Sequence, residues 1–181
     1  YENTLKSALV DALTGVFNRR YYEDILQNEI NRARRRSGLI SLCVLDIDNF
    51  KHYNDAYGHI EGDKVLITFA SVIKKCLRRE DIVCRYGGEE FVVIMPDSSA
   101  ENSYMVMNRI SEDLKKEKFY DSKSISFSCG ISCYPKDTTD KNELFIKADK
   151  AMYIAKANGK NQVCIYGNER RNKIRLEVNW N

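Results

Sequence analysis

Residues 84–95, "CRYGGEEFVVIM", set two glycines and then two glutamates between apolar runs. With the "DIV" immediately before it, the stretch reads as two strands, "DIVCRY" and "EFVVIM", with Gly87 and Gly88 between them, because glycine supplies the backbone freedom a tight hairpin demands. Such a hairpin commits the sheet to at least one antiparallel pair. Whether the glutamates are only its charged shoulder, or hold something against the open glycine backbone, the stretch alone leaves undecided.

Working outward, "LISLCVL" at 39–45 is continuously apolar apart from Ser41 and lies between Gly38 and the acidic "DID". It is too short for a helix and predicts a buried strand ending in carboxylates. "DALTGVFNRRYYEDILQNEINRARRR" predicts a turn around Thr14 and Gly15, then a helix with Tyr22, Ile25, Leu26 and Ile30 at helical spacing that stops near Gly38. Its basic run at 32–36 reads as a solvated C-terminal turn, where cations are favoured. A short helix to about Tyr57, a loop at 58–62 and a longer helix from a capping Asp63 to Leu77 come next, the last with Val65, Leu66, Phe69, Ile73 and Leu77 on one face. "SAENSYMVMNRISEDLKKE" patterns as a helix, "SISFSCGISCY" as a strand, "KNELFIKADKAMYIAKANG" as a helix ending at Gly159, and "QVCIY" as a final strand. The fold class expected is therefore α/β (α+β), a mixed or antiparallel sheet covered by helices rather than a doubly wound parallel one.

Composition narrows the function less than the fold. Among 181 residues, 29 Lys+Arg face 26 Asp+Glu for a net charge of +3, which gives little reason to expect a nucleic-acid polymer as partner. A hydrophobic share of 43% and a charged share of 30% suit one globular domain with its own core. The six cysteines lie mostly inside apolar runs with no C-x-x-C pair, which predicts buried free thiols in a reducing, cytoplasmic setting rather than disulfides or a zinc site. No stretch approaches the ~20 apolar residues of a membrane span, and no signal peptide opens the chain. Because it begins at Tyr1, we expect a domain of a longer protein whose sensory or membrane part precedes it.

Asp46 and Asp48 sit two apart, on one side of an extended chain. By themselves they could simply mark a strand emerging into water. If the hairpin strand lies beside them, however, Glu89 and Glu90 converge on the same place, and such carboxylates need protons or cations for relief. A hard ion such as Mg²⁺ takes a few carboxylate oxygens plus the phosphates of a substrate, the arrangement of two-metal phosphoryl transfer. Lys51, and Lys156 with Lys160 four residues on, are candidate phosphate contacts or ordinary surface lysines. Asn54 and Asp63 could read a base; a carboxylate at Asp63 accepts from the paired N–H groups of guanine, which adenine lacks. Arg78-x-x-Asp81, taken by itself, reads as an ordinary charged turn between a helix and a strand.

"GGEEF" at 87–91, "DALTGVFNRR" at 11–20, "DIDNFKHYND" at 46–55, "YGHIEGD" at 57–63, "GISCYP" at 130–135 and "ADKAMYIAKANGKNQV" at 148–163 together closely resemble the GGDEF domain of diguanylate cyclases, in its GGEEF variant, over about residues 8–166. The resemblance implies a palm-like, five-stranded, largely antiparallel sheet wrapped by helices, like nucleotide cyclase and polymerase palms. It implies condensation of two GTP into cyclic di-GMP and two pyrophosphates, with Mg²⁺ or Mn²⁺, two ions per half-site. It implies Asp46, the Ile47 carbonyl, Glu89 and, less firmly assigned, Glu90 at the metals. Glu89 would also be the acid/base. Asn54 and Asp63 fall at the guanine, with His59 in the same substrate-binding loop, Lys51, Lys156 and Lys160 at the phosphates, and Gly87 and Gly88 against the nucleotide. Arg78, Asp81 and Arg109 match an inhibitory product site.

The same resemblance implies a homodimer, since one domain holds one GTP and each 3′-hydroxyl attacks the other's α-phosphate. The implied layout is an end of an upstream helix or linker at 1–7, the cyclase domain at 8–167 and a tail at 168–181. A non-catalytic sensor of GTP or cyclic di-GMP is the alternative.

Overall fold

The computed structural model describes residues 9–168. The segment expected at 1–7, and all but the first residue of the tail expected at 168–181, lie outside them. The described residues fold as β1 (Phe17–Asn18), α1 (Arg19–Arg36), β2 (Ile40–Ile47), α2 (Phe50–Tyr57), α3 (His59–Cys76), β3 (Ile82–Gly87), β4 (Glu90–Pro96), α4 (Ala100–Leu114), a short 3₁₀ turn (Tyr120–Ser122), β5 (Phe127–Tyr134), α5 (Lys141–Ala157) and β6 (Val163–Ile165). The sheet runs β1-β3-β4-β2-β5-β6. Its four central strands pair antiparallel, whereas β1 and β6 join the edges in parallel.

The sheet thus has six strands where five were expected. The addition is the two-residue β1, which pairs Phe17 with Cys84 and Asn18 with Arg85 in a region too short to show strand periodicity. Asn18 immediately caps α1, its side chain accepting from the Tyr21 N–H.

β2 is buried along its whole length because helices cover both faces. Cys43, Leu45 and Ile47 point to one side, against Val65, Phe69 and Ile73 of α3 and Met107 and Ile110 of α4. Leu42 and Val44 point to the other, against Tyr22, Leu26 and Ile30 of α1 and Leu144, Ala148 and Met152 of α5. By this alternation Asp46 falls on the α1/α5 face. α5 comes down on β5 at Gly130, where an added Cβ would stand 1.9 Å from the Ala148 carbonyl oxygen and 2.2 Å from the Met152 nitrogen. Only a glycine lets the helix backbone approach so closely.

Two local expectations are corrected. The loop at 58–62 does not exist as such: α3 begins at His59, and Gly58 alone, at φ 85°, makes the break between α2 and α3. Asp63 is consequently inside α3 and does not cap it. The hairpin turn is also displaced. Gly87 belongs to β3 and pairs with Glu90, a register shift between Arg85 and Gly87 places a bulge at Tyr86, and the turn residues are Gly88 and Glu89. All six cysteines are buried and free, as their apolar surroundings predict.

Candidate active site

Strand register assembles the acidic end of the sheet. Asp46 is directly opposite Glu90 across β2 and β4. Both follow the even-numbered alternation that brings Val44, Val92 and Ile94 to the α5 face. Ile47 closes β2 and donates its N–H to the Glu89 carbonyl at 3.3 Å, tying the hairpin turn to the same strand end. An added Cβ at Gly87 or Gly88 would meet nothing within 4 Å, so the turn presents open backbone.

The electrostatics are those of crowded carboxylates. Burial pushes the Asp46 carboxyl above its usual range; the Lys156 ammonium pulls it back, and Glu89 and Asp48 push it further up. Glu90 is also raised, first by burial and then by Asp46, Asp149 and Glu89. Lys156 Nζ stands 2.8 Å from Asp46 Oδ1 as a part-buried counter-charge. Among the described residues no three carboxylate, imidazole or thiol groups close into a ready-made cage. Mg²⁺ binds through one or two carboxylates together with substrate phosphates. The raised carboxyl groups of Asp46 and Glu90 at a shared strand end, with the Glu89 carboxylate in the adjoining turn, are a donor set that such an ion would relieve, and these residues fit it.

Around this end, Lys51 is exposed in the first turn of α2. Asn54, on the same helix, carries a buried Oδ1 without a hydrogen-bond partner. It faces Gly62 of α3, where an added Cβ would lie 1.7 Å from that oxygen. His59 and Asp63 are exposed on the first turns of α3. Lys160, in the loop after α5, donates to Asn49 Oδ1 at 2.5 Å, which brings its ammonium to the start of α2. The structure therefore gathers Asp46, Glu89, Glu90 and Lys156 at one strand end, with Lys160 beside the turn that leaves it.

The Arg78–Asp81 pair lies at the other end of β3. Asp81 Oδ2 accepts the Arg78 N–H at 2.9 Å, and Asp81 N donates to the Arg78 carbonyl at 3.2 Å. Its Oδ1 is buried and unpartnered. Burial raises the Asp81 carboxyl and Arg78 partly offsets this. Lys74, Leu77, Arg78 and Asp81 line a cavity of about 340 Å³, bounded opposite by Val10, Gly15, Val16 and Phe17. Arg109 donates to the Cys76 carbonyl at the end of α3, so its guanidinium stands close to this turn.

Sequence reasoning missed Arg85. Its Nε donates to the Gly88 carbonyl at 2.9 Å and its Nη1 pairs with Asp11 at 3.2 Å, so one guanidinium braces the glycine turn against the "DALTG" turn. Burial pushes the Asp11 carboxyl up, but hydrogen bonds from Thr14 and Arg85 outweigh it and hold the group below its ordinary value. An arginine just before two glycines, with an acidic turn upstream, was the available signal. Asp48, two residues on, adds its charge to those around Asp46, but its carboxylate is already engaged, accepting from Ser126, Ser128 and the Asn161 N–H.

A helix-covered, largely antiparallel sheet with an acidic hairpin at one end is the architecture of the palm-like domains. The chain belongs to the GGDEF family: the family described as "Diguanylate cyclase, GGDEF domain" matches residues 8–162. It is 38% identical to the diguanylate cyclase DgcS of Shewanella oneidensis over 161 residues, 89% of this chain and 54% of DgcS. It is 36% identical to the response regulator PleD of Caulobacter vibrioides over 167 residues, 90% of this chain and 37% of PleD. The chain thus spans about half or less of these relatives. A structure of the coiled coil and GGDEF domain of DgcB from Caulobacter crescentus in complex with c-di-GMP superposes with a TM-score of 0.84 at 30% identity, over 91% of this chain and 88% of that one. The active GGEEF domain of a diguanylate cyclase from Vibrio cholerae gives 0.79 at 31% identity, over 82% and 96%.

Proposed function

We propose that this domain condenses two GTP into cyclic di-GMP and two pyrophosphates, working as a homodimer and restrained by its product. The observation that carries the reading is the in-register pair Asp46 and Glu90 with Glu89 in the adjoining turn, at the same end of the sheet as Lys156. Asp46, the Ile47 carbonyl, Glu89 and Glu90 would hold Mg²⁺ or Mn²⁺, two ions for each GTP. Bound there, the ions supply Lewis-acid stabilisation of charge on the attacking and leaving oxygens.

The protein's own groups do the rest. The unpartnered Asn54 Oδ1 offers an acceptor for guanine N–H donors, and Asp63 and His59 stand on the neighbouring helix for the same base. Lys51, Lys156 and Lys160 hold the phosphates, and Gly87 and Gly88 let the nucleotide lie against the hairpin. Glu89 would take the proton of the 3′-hydroxyl. The new bond joins that oxygen to the α-phosphorus of the GTP on the facing domain, and the bond to the β-phosphate oxygen breaks to release pyrophosphate.

Arg78, Asp81 and Arg109 form the product site; the unpartnered Oδ1 of Asp81 would accept from guanine. The c-di-GMP complex of the similar DgcB domain supports product binding within this fold. Regulation by an upstream sensory or dimerising domain fits relatives of which this chain spans about half or less, such as the response regulator PleD. No described helix is long and apolar enough to cross a membrane, and we place the domain in the cytoplasm, where GTP is made. Incubating the purified chain with GTP and Mg²⁺ and weighing the product tests the reading: cyclic di-GMP supports it, and intact GTP at high protein concentration contradicts it.

A further inference from the structure

Asp48 is buried, yet nothing in the site described uses it. Its Oδ1 accepts from Ser128 Oγ at 2.7 Å, and its Oδ2 accepts from Ser126 Oγ at 2.7 Å and from the Asn161 N–H at 2.9 Å. The serines belong to the β5 side of the sheet; Asn161 belongs to the loop between α5 and β6. In that loop Lys160 and Asn161 have φ values of 64° and 49°, two consecutive non-glycine residues in the left-handed region. Such a pair persists only where its surroundings over-determine it. The next residue of the β2–α2 turn, Asn49, accepts from Lys160 Nζ at 2.5 Å. Adjacent residues of one turn therefore hold the loop twice, Asp48 by its backbone and Asn49 by its lysine.

We propose that Asp48 is a positioning residue for the nucleotide phosphates. It touches neither ion nor substrate; it fixes the backbone at Asn161 so that the Lys160 ammonium stands at the strand end where Asp46 lies. The inference rests on the reading of Lys160 as a phosphate contact. A lysine on a flexible stem loses rotamer freedom when it grips a phosphate, and a loop already locked in place reduces that loss. Because Lys160 holds phosphates before and during reaction alike, the effect belongs to KM rather than kcat.

The test is a cycle on the full chain with GTP as ligand: Asp48→Ala, Lys160→Ala and the double variant, each with KM, kcat and melting temperature. We expect Asp48→Ala to raise KM about tenfold with kcat within about twofold, and the double variant to bind GTP no more weakly than Lys160→Ala alone, since nothing remains to be positioned. Asp48→Asn, whose carbonyl still accepts the Asn161 N–H, recovers most of the affinity. Multiplying effects, about a hundredfold in the double variant, overturn the proposal. If Asp48→Ala does not fold, Asn49→Gly keeps the left-handed backbone and removes the lysine's acceptor; its effect must likewise vanish in the Lys160→Ala background, and additivity there overturns the proposal too. A wild-type chain that neither binds nor converts GTP overturns the proposed function and this role with it, whereas tight wild-type binding with an unchanged KM in Asp48→Ala overturns this role alone.

Discussion

The two ends of β3 each bear acidic groups raised by burial, but they are built in different ways. At the Arg78 end, Asp81 is held by a bond within its own four-residue turn, and its other carboxylate oxygen is buried without a partner. At the glycine end, Asp46 and Glu90 meet only because β2 and β4 pair in one register, and their counter-charge comes from Lys156 on a helix more than a hundred residues after β2 begins. A six-residue strand separates them, roughly 17 Å at the usual rise. The first site is a local motif that the fold merely displays, whereas the second is made by the fold. Damage to packing should therefore reach the second long before the first.

The sharpest way to separate the ends is chemical. Glu89→Gln should lower the rate of cyclic dinucleotide formation by about 10²–10⁴-fold with melting temperature nearly unchanged, measured by product chromatography. Gly130→Ala attacks the same end through packing. Its Cβ would run into the backbone of α5, and because the neighbours are main-chain atoms that cannot step aside, we expect a loss of about 3 kcal/mol or more in urea unfolding.

At the other end, Asp81→Ala should raise the product concentration needed for half-inhibition about tenfold, read from progress curves with added cyclic di-GMP. The smallest effect is on stability against pH. Glu90 has a folded pKa above its unfolded one, so its charge costs stability at neutral pH, and that cost disappears as pH falls through the folded value and the native state takes up the proton first. Glu90→Gln should therefore melt roughly 1–3 °C higher than the natural chain near pH 8, and the gap should close near pH 4.

Much of this was legible in the residues. The apolar run of β2, broken only by Ser41 before the carboxylates, announced a buried strand, and the glycine pair announced antiparallel pairing. The two residues of β1 carried no period to read, and the start of α3 was hidden because Gly58 and Gly62 look alike in sequence: one breaks the chain between helices, the other lies inside α3 to make room for Asn54. In the candidate site the residue types were readable, but their partners were not. That Asp46 meets Lys156 depends on how closely Gly130 lets α5 approach, and that Asp48 is occupied depends on two serines some eighty positions away. Arg85 escaped notice for the same reason, since both of its bonds are set by how two turns pack.

The central claim is that one domain holds one half of a reaction completed by a second copy. It is tested most directly by measuring cyclic di-GMP formation from GTP and Mg²⁺ across a wide range of protein concentration. The account predicts a rate per chain that rises with concentration until dimers predominate, and cyclic di-GMP as the product by mass; a rate per chain independent of concentration, or no cyclic dinucleotide when dimerisation is enforced, would contradict it.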